Sequence, residues 1–189
     1  MRLFVAIDIS AAVRERLSAL LQELRPHAPQ LTWVRAENLH LTLKFIGHTS
    51  GENFPAIRDV LSAIELGSSV ELRFRDIGFF PNEKRPRVLW VGVESPPELA
   101  RLARDIDSAL SQLGFPAEER AFSPHLTLAR SKEGRIPQAL LSAIQTQTQR
   151  EFGGTLATHF HLIESKLRAT GPEYCILASF ALAQSSATP

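Results

Sequence analysis

The chain has 189 residues, 44% of them hydrophobic and 22% charged, which suits one globular domain with a substantial core. Lys and Arg number 21 against 20 acidic residues, a formal net charge of +1, which excludes a uniformly basic coat for nucleic acid but not a local basic cleft. The single cysteine, Cys175, excludes an internal disulfide and a cysteine zinc cluster.

The opening MRLFVAIDIS lacks the length and cleavage site of a signal peptide, and RLFVAID reads as a buried first strand. Ser10 is placed to cap a helix whose apolar residues Val13, Leu17, Leu20, Leu21 and Leu24 recur at helical spacing. LTWVRAENLHLTLKFIG predicts a short strand, a turn at 36–38 and a longer strand ending at Gly47. A second helix carries Phe54, Ile57, Val60, Leu61 and Ile64, and VELRFRDIGFF alternates as a half-exposed strand. PNEKRPR reads as a loop whose charges, within 82–87, form either a basic rim or an ordinary solvated turn.

VLWVGV is the next strand, followed by a helix bearing Leu99, Leu102, Ile106, Leu110 and Leu113. After HLTLA comes a helix near Pro137 to Gln149, then two final strands within TLATHFHLIES and YCILASFAL; Cys175, in the latter, is expected to be a buried thiol. The tail, about 184–189, is expected to be disordered. No run approaches the roughly 20 apolar residues of a membrane helix, so no membrane partner is expected; the lone cysteine makes a reducing, cytoplasmic compartment the default, and a monomer is expected.

The tetrapeptide HLTL occurs twice, and His125 follows His40 by 85 residues. The same shift overlays RLFVAID on RVLWVGV, Leu17 on Leu102 and Leu21 on Ile106, and with a small slip it sets ELRFRDIGFF against THFHLIESK. The chain is therefore read as one two-lobed domain with a repeat spanning about 2–80 and 87–165. The expected fold is α+β, with pseudo-two-fold symmetry, antiparallel sheets lining a central cleft and helices outside.

On a strand, residues two apart share a face, so His40 with Thr42 and His125 with Thr127 point outward while the leucines point into the core. One neutral imidazole can accept a proton while one imidazolium donates, and threonine hydroxyls can donate to anionic oxygens. That set suits in-line displacement at phosphorus with no metal and no cofactor. Metal binding is the rival use of paired histidines, but neither motif carries Asp, Glu or Cys at ligand spacing. His159 and His161 share a face without a threonine companion and read as surface residues. Phe45 could stack on a base, but its parity with Leu41 and Leu43 favours core packing.

With RLFVAID, NLHLTLKFIG, PRVLWVGV, PHLTLAR and ESKLRATGPEYCIL, the chain resembles the 2H phosphoesterase superfamily from Arg2 to about Leu182. Within it, the chain is similar to the bacterial and archaeal RNA 2′,3′-cyclic phosphodiesterases, also called 2′-5′ RNA ligases. The resemblance implies metal-free opening of an RNA 2′,3′-cyclic phosphate end, or a related cyclic nucleotide, to a 2′-phosphomonoester. It assigns His40 as proton donor, His125 as proton acceptor, and Thr42 and Thr127 as holders of the phosphate oxygens.

Arg130 resembles a phosphate-contacting arginine of the family, but strict alternation puts it opposite His125, so that role requires the strand to end or bulge after Leu128. Lys44 shares parity with His40 and Thr42 and is expected either at the cleft, binding substrate, or in solvent. Two other functions stay open from the sequence: 2′-5′ joining of RNA ends, and a non-catalytic module that holds an RNA end or nucleotide.

Overall fold

The structure, a computed structural model, describes residues 1–146, 151–169 and 171–183. Its strands are β1 (Arg2–Ile7), β2 (Thr32–Trp33), β3 (Leu41–His48), β4 (Val70–Phe80), β5 (Val88–Glu94), β6 (His125–Arg130), β7 (Glu151–Ala157), β8 (His159–Arg168) and β9 (Gly171–Ala181). The helices are α1 (Ala11–Leu24), α2 (Phe54–Ser62), α3 (Pro97–Gln112) and α4 (Gln138–Gln145). Where two final strands were expected there are three, because TLATHFHLIES holds the end of β7 and the start of β8, separated only by Thr158. The expected helix to Gln149 ends at Gln145; residues 147–150 and the tail at 184–189 lie outside the described residues.

The strands form two antiparallel sheets, one ordered β3-β1-β8-β9 and the other β2-β6-β5-β4-β7. β3, β1 and β8 correspond in order to β6, β5 and β4, so the fold is α+β and duplicated. The sheets do not coincide with the sequence halves. β4, from the first half, joins the sheet of β5 and β6, and β8, from the second, joins that of β1 and β3.

The pairing also refines the alignment of the repeat. Ala6 pairs with Thr42 as Trp90 pairs with Thr127, so β1 and β5 correspond at a shift one residue shorter than the motifs do.

The helices bury the faces their spacing predicts. In α1, Ser10 Oγ accepts from the Val13 N–H, satisfying one of the open amides of the first turn, and Val13, Leu17, Leu20, Leu21 and Leu24 are buried. In α3 the buried set is Leu99, Leu102, Ala103, Ile106 and Leu110, while Leu113 falls beyond the helix and is exposed. One continuous apolar cluster holds side chains from both sheets and from all four of these helices. A separate small cluster of Phe4, Ala6 and Ile163, with Tyr174 packed on it, occupies the other face of β1, β8 and β9. Cys175 is half-buried, not sequestered.

Both motif strands carry a bulge at the same place. The register slips between Val5 and Ala6 opposite β3, skipping Leu43, and between Leu89 and Trp90 opposite β6, skipping Leu128. An extra residue in one strand reverses the alternation beyond it. Lys44 and Ala129 therefore turn to the core and are buried, whereas Phe45 and Arg130 turn outward and are exposed.

Two expectations are corrected. Lys44 is not at the cleft: its ammonium ion-pairs with Asp107 of α3 and donates to the Pro116 carbonyl at 2.7 Å. Phe45 is not in the core but 59% exposed. The bulge that Arg130 required is present.

Removing one partner of a buried ion pair strands the other charge, at a cost of about 3–5 kcal/mol. Lys44→Ala is expected to lower the unfolding free energy by about that amount in urea titration, and Asp107→Ala added to it to cost much less than it does alone.

Candidate active site

His40 and His125 are held by the same local device. His40 Nδ1 lies 2.7 Å from the Asn38 carbonyl oxygen and His125 Nδ1 lies 2.7 Å from that of Ser123, each two residues upstream. A carbonyl can only accept, so each Nδ1 carries a proton and each Nε2 is left for chemistry. The rings are also packed. His40 lies 4.8 Å from the Phe4 ring and meets Tyr174 edge-on at 5.3 Å, and His125 meets Phe80 edge-on at 4.9 Å.

A short stretch of chain brings the two motifs together. Trp33 pairs with Ala129 on β6, and the Val34 N–H donates to the Leu128 carbonyl at 2.8 Å. Only six residues then lead to His40, a reach of at most about 20 Å, shortened by the turn at Ala36–Asn38. Arg14 ties this turn down by donating to the carbonyls of Ala36 and Leu39 at 2.6 and 3.2 Å. The Asn38 side chain, buried, donates to the Pro172 carbonyl at 2.8 Å and so anchors the carrier of the His40 acceptor to β9. β3 and β6 come within 8 Å of each other, Cα to Cα.

Burial holds both imidazoles below their ordinary value of 6.5, so both favour the neutral form in the free protein. Each carbonyl partner works against this, and the Arg130 guanidinium adds to it at both histidines. Arg130 also acts on the Tyr174 phenol, so one cation is felt by both rings and by the tyrosine beside them. The histidines differ in their charged neighbours: at His40 the Asp8 carboxylate favours the charged form and the Arg14 guanidinium opposes it, whereas among the described residues neither has a counterpart at His125. Asp8 itself is bound by Arg14.

Of the residues singled out from sequence, Arg130 acts on both His40 and His125, and Thr42 and Thr127 lie half-buried on the outward parity of the two motif strands. Lys44 does not join them. The rim residues Lys84 and Arg85 are exposed, their backbone N–H groups donating to Asn82 Oδ1. His159 and His161 stack with centroids 6.4 Å apart.

Sequence reading missed Phe4, Tyr174, Asp8 and Asn38 as parts of the site. Tyr174 and Asp8 lie far along the chain from either motif, and only sheet pairing brings them near. Among the described residues, no group of three or more His, Cys, Asp or Glu is arranged to hold a metal ion, and no helix is long and apolar enough to cross a membrane.

Known proteins resemble this chain in sequence and fold. The family model described as LigT like Phosphoesterase matches twice, over residues 7–90 and 91–174. Proteins named RNA 2′,3′-cyclic phosphodiesterase from Archaeoglobus fulgidus and Thermotoga maritima are 35% and 32% identical, over 95% and 94% of this chain and 99% and 93% of their own. The crystal structure of E. coli LigT complexed with 3′-AMP superposes with a TM-score of 0.78 at 31% identity, covering 97% of this chain and 98% of that one. A crystal structure of a protein from Thermus thermophilus superposes with a TM-score of 0.79 at 30% identity, covering 98% of this chain and all of its own. The two matches of the family model fall one on each half of the repeat, each containing one HLTL strand, and the chain belongs to the LigT-like phosphoesterase family.

Proposed function

We propose that the chain is an RNA 2′,3′-cyclic phosphodiesterase that opens the terminal cyclic phosphate to a 2′-phosphomonoester, with His40 as proton donor and His125 as proton acceptor. The observation that carries this reading is the paired anchoring of the two imidazoles by carbonyls two residues upstream, which frees both Nε2 atoms. The names of the relatives supply the substrate class.

In the reaction, water attacks phosphorus in line with the bond to O3′. His125 Nε2 takes the water proton as the new P–O bond forms. The P–O3′ bond breaks, and the Nε2 proton of charged His40 passes to the departing O3′. One proton transfer is typically worth about 10²–10⁴-fold in rate. Thr42 and Thr127 donate to the non-bridging oxygens, and Arg130 balances their charge.

The asymmetry of the site supports this assignment of roles. Asp8 favours the imidazolium of His40 against Arg14 and Arg130, while His125 has Arg130 and, among the described residues, no carboxylate to offset it. The two imidazoles supply both proton transfers, so the scheme calls for no metal.

The test is a short RNA ending in 2′,3′-cyclic phosphate, incubated in EDTA, with products resolved as 2′- or 3′-monophosphate. The expected product is the 2′-phosphate. His40→Ala and His125→Ala should each lower kcat by about 10²–10⁴-fold. Thr42→Val and Thr127→Val should lower kcat/KM by about 10–100-fold, the worth of a hydrogen bond to a charged group. Binding of the cyclic end without turnover would overturn the catalytic reading.

The pH dependence follows with its sign. One histidine must be charged, and both are held below 6.5 in the free enzyme, so the alkaline limb of kcat/KM should have its midpoint below 6.5. In the complex the anionic phosphate favours imidazolium, so the alkaline limb of kcat should lie at higher pH. Stopped-flow or discontinuous assays across pH 4 to 9 read both limbs.

A further inference from the structure

A second pair of histidines stands outside the proton-transfer chemistry. His159 and His161 lie two apart on β8, so their side chains leave the strand on one face. Ala6 of β1 pairs with Thr42 on one side and with His161 on the other, and residues paired across antiparallel strands share a face. The pair therefore stands on the face of the sheet that carries Thr42, two strand spacings of about 4.8 Å away along that row.

The two rings are held alike. They are nearly parallel, with 12° between their planes and 6.4 Å between centroids. His159 Nδ1 lies 3.0 Å from the Thr158 hydroxyl, and His161 Nδ1 lies 2.9 Å from the Ser179 hydroxyl on the paired strand β9. A hydroxyl can accept from Nδ1–H, which leaves the Nε2 lone pair to a ligand. Among the described residues neither Nε2 has a partner. A hydrogen bond behind one ring nitrogen with the other left open is the arrangement of a metal-binding histidine. His159 is exposed and His161 half-buried, so an ion can reach both from solvent.

The charges around the pair suit a shared cation better than two protons. Burial holds the His161 imidazole below its ordinary value of 6.5 and so favours the neutral ring; the Asp8 carboxylate nonetheless favours positive charge there, and His159 opposes it. Protons on both rings would repel each other, whereas one dication satisfies both lone pairs and the carboxylate. We propose that His159 and His161 chelate one divalent transition-metal ion through their Nε2 atoms, with water in the remaining positions and Cu²⁺ bound most tightly. Imidazole suits Cu²⁺, Ni²⁺ and Zn²⁺, and affinity peaks at Cu²⁺ in that series. Two nitrogens that each bind an ion at about 2.0–2.1 Å stand within about 4.2 Å of one another, so the exposed His159 ring leans toward His161 on binding. Two protein ligands are fewer than the three or four of built zinc centres, which makes this ion exchangeable with solvent.

The test titrates tag-free protein with Cu²⁺, Ni²⁺ and Zn²⁺ by calorimetry, in a buffer that does not bind metal. One ion per chain is expected, tightest for Cu²⁺. Ser179→Ala, which removes the hydroxyl behind His161, should weaken binding about tenfold, and His159→Ala and His161→Ala should each weaken it by more than that. The electron paramagnetic resonance spectrum of the Cu²⁺ form should show coupling to two imidazole nitrogens. Zn²⁺ should shift the ring proton resonances of His159 and His161 and leave those of His40 and His125 in place. In EDTA, His159→Ala and His161→Ala should turn over a cyclic phosphate at the wild-type rate.

Metal binding that survives loss of both histidines would overturn the site, as would binding lost instead with His40→Ala or His125→Ala. An ion released by Cys175→Ser, and so held by the thiol, would overturn it too. Melting temperatures of the variants in EDTA separate lost chelation from lost folding. The site stands or falls independently of the phosphodiesterase reading, since binding is read without substrate.

Discussion

The hydrogen bond from each histidine Nδ1 to the carbonyl two residues upstream is the constraint on which the site depends. It fixes the tautomer, the ring orientation and the direction of Nε2 at once, and it uses only backbone that already leads into a strand. The rest of the local architecture serves to hold those two carbonyls still. For Asn38 the means are Arg14 on the preceding turn and the Asn38 amide reaching β9. For Ser123 the neighbouring Pro124 carbonyl accepts from Val93 at 3.3 Å, so the segment is laced to the end of β5. Symmetry gives two rings held alike, and the charges around them differ, with Asp8 and Arg14 acting on His40 alone.

The bulges are the second device, and they show how one backbone event serves different chemistry in the two halves. At corresponding positions beyond the skipped leucines stand Phe45 and Arg130, one an exposed ring 6.2 Å from Phe4, the other the cation that reaches both histidines. Duplication kept the geometry while the side chains diverged. A third bulge, at Asp76, works in the same way on β4. Each converts a two-residue alternation into a pair of neighbouring side chains on one face, which a regular strand cannot present.

Much of this was legible in the sequence, and the parts that were not have a common cause. HLTL alternates, so its histidine and threonine could be assigned to one face without knowing the partner strand. Whether Lys44 or Phe45 follows them onto that face depends on a slip against β1, and nothing in LKFIG records it. A lysine in an otherwise apolar strand reads as solvent-facing because burial of a charge needs a partner, and Asp107 sits on a helix that sequence spacing does not connect to β3. Tyr174 reaches His40 through sheet pairing across most of the chain, and Asp8 does so from just past the end of β1. The two final strands that proved to be three were obscured because β7 and β8 are separated by a single residue, so the hydrophobic pattern runs through without a break.

That single residue, Thr158, has a mechanical consequence. The chain leaves one sheet at Ala157 and enters the other at His159, and the Thr158 carbonyl accepts from Leu182 at 2.8 Å, so the crossing is short and tied down. The step from Trp33 of β2 to Leu41 of β3 makes a second crossing between the same two sheets. Two bodies joined by a loose linker can swing like jaws; these two sheets are joined instead by short crossings and share one core. The spacing of His40 and His125, one on each sheet, is thus set by the packing of the two sheets around their common core.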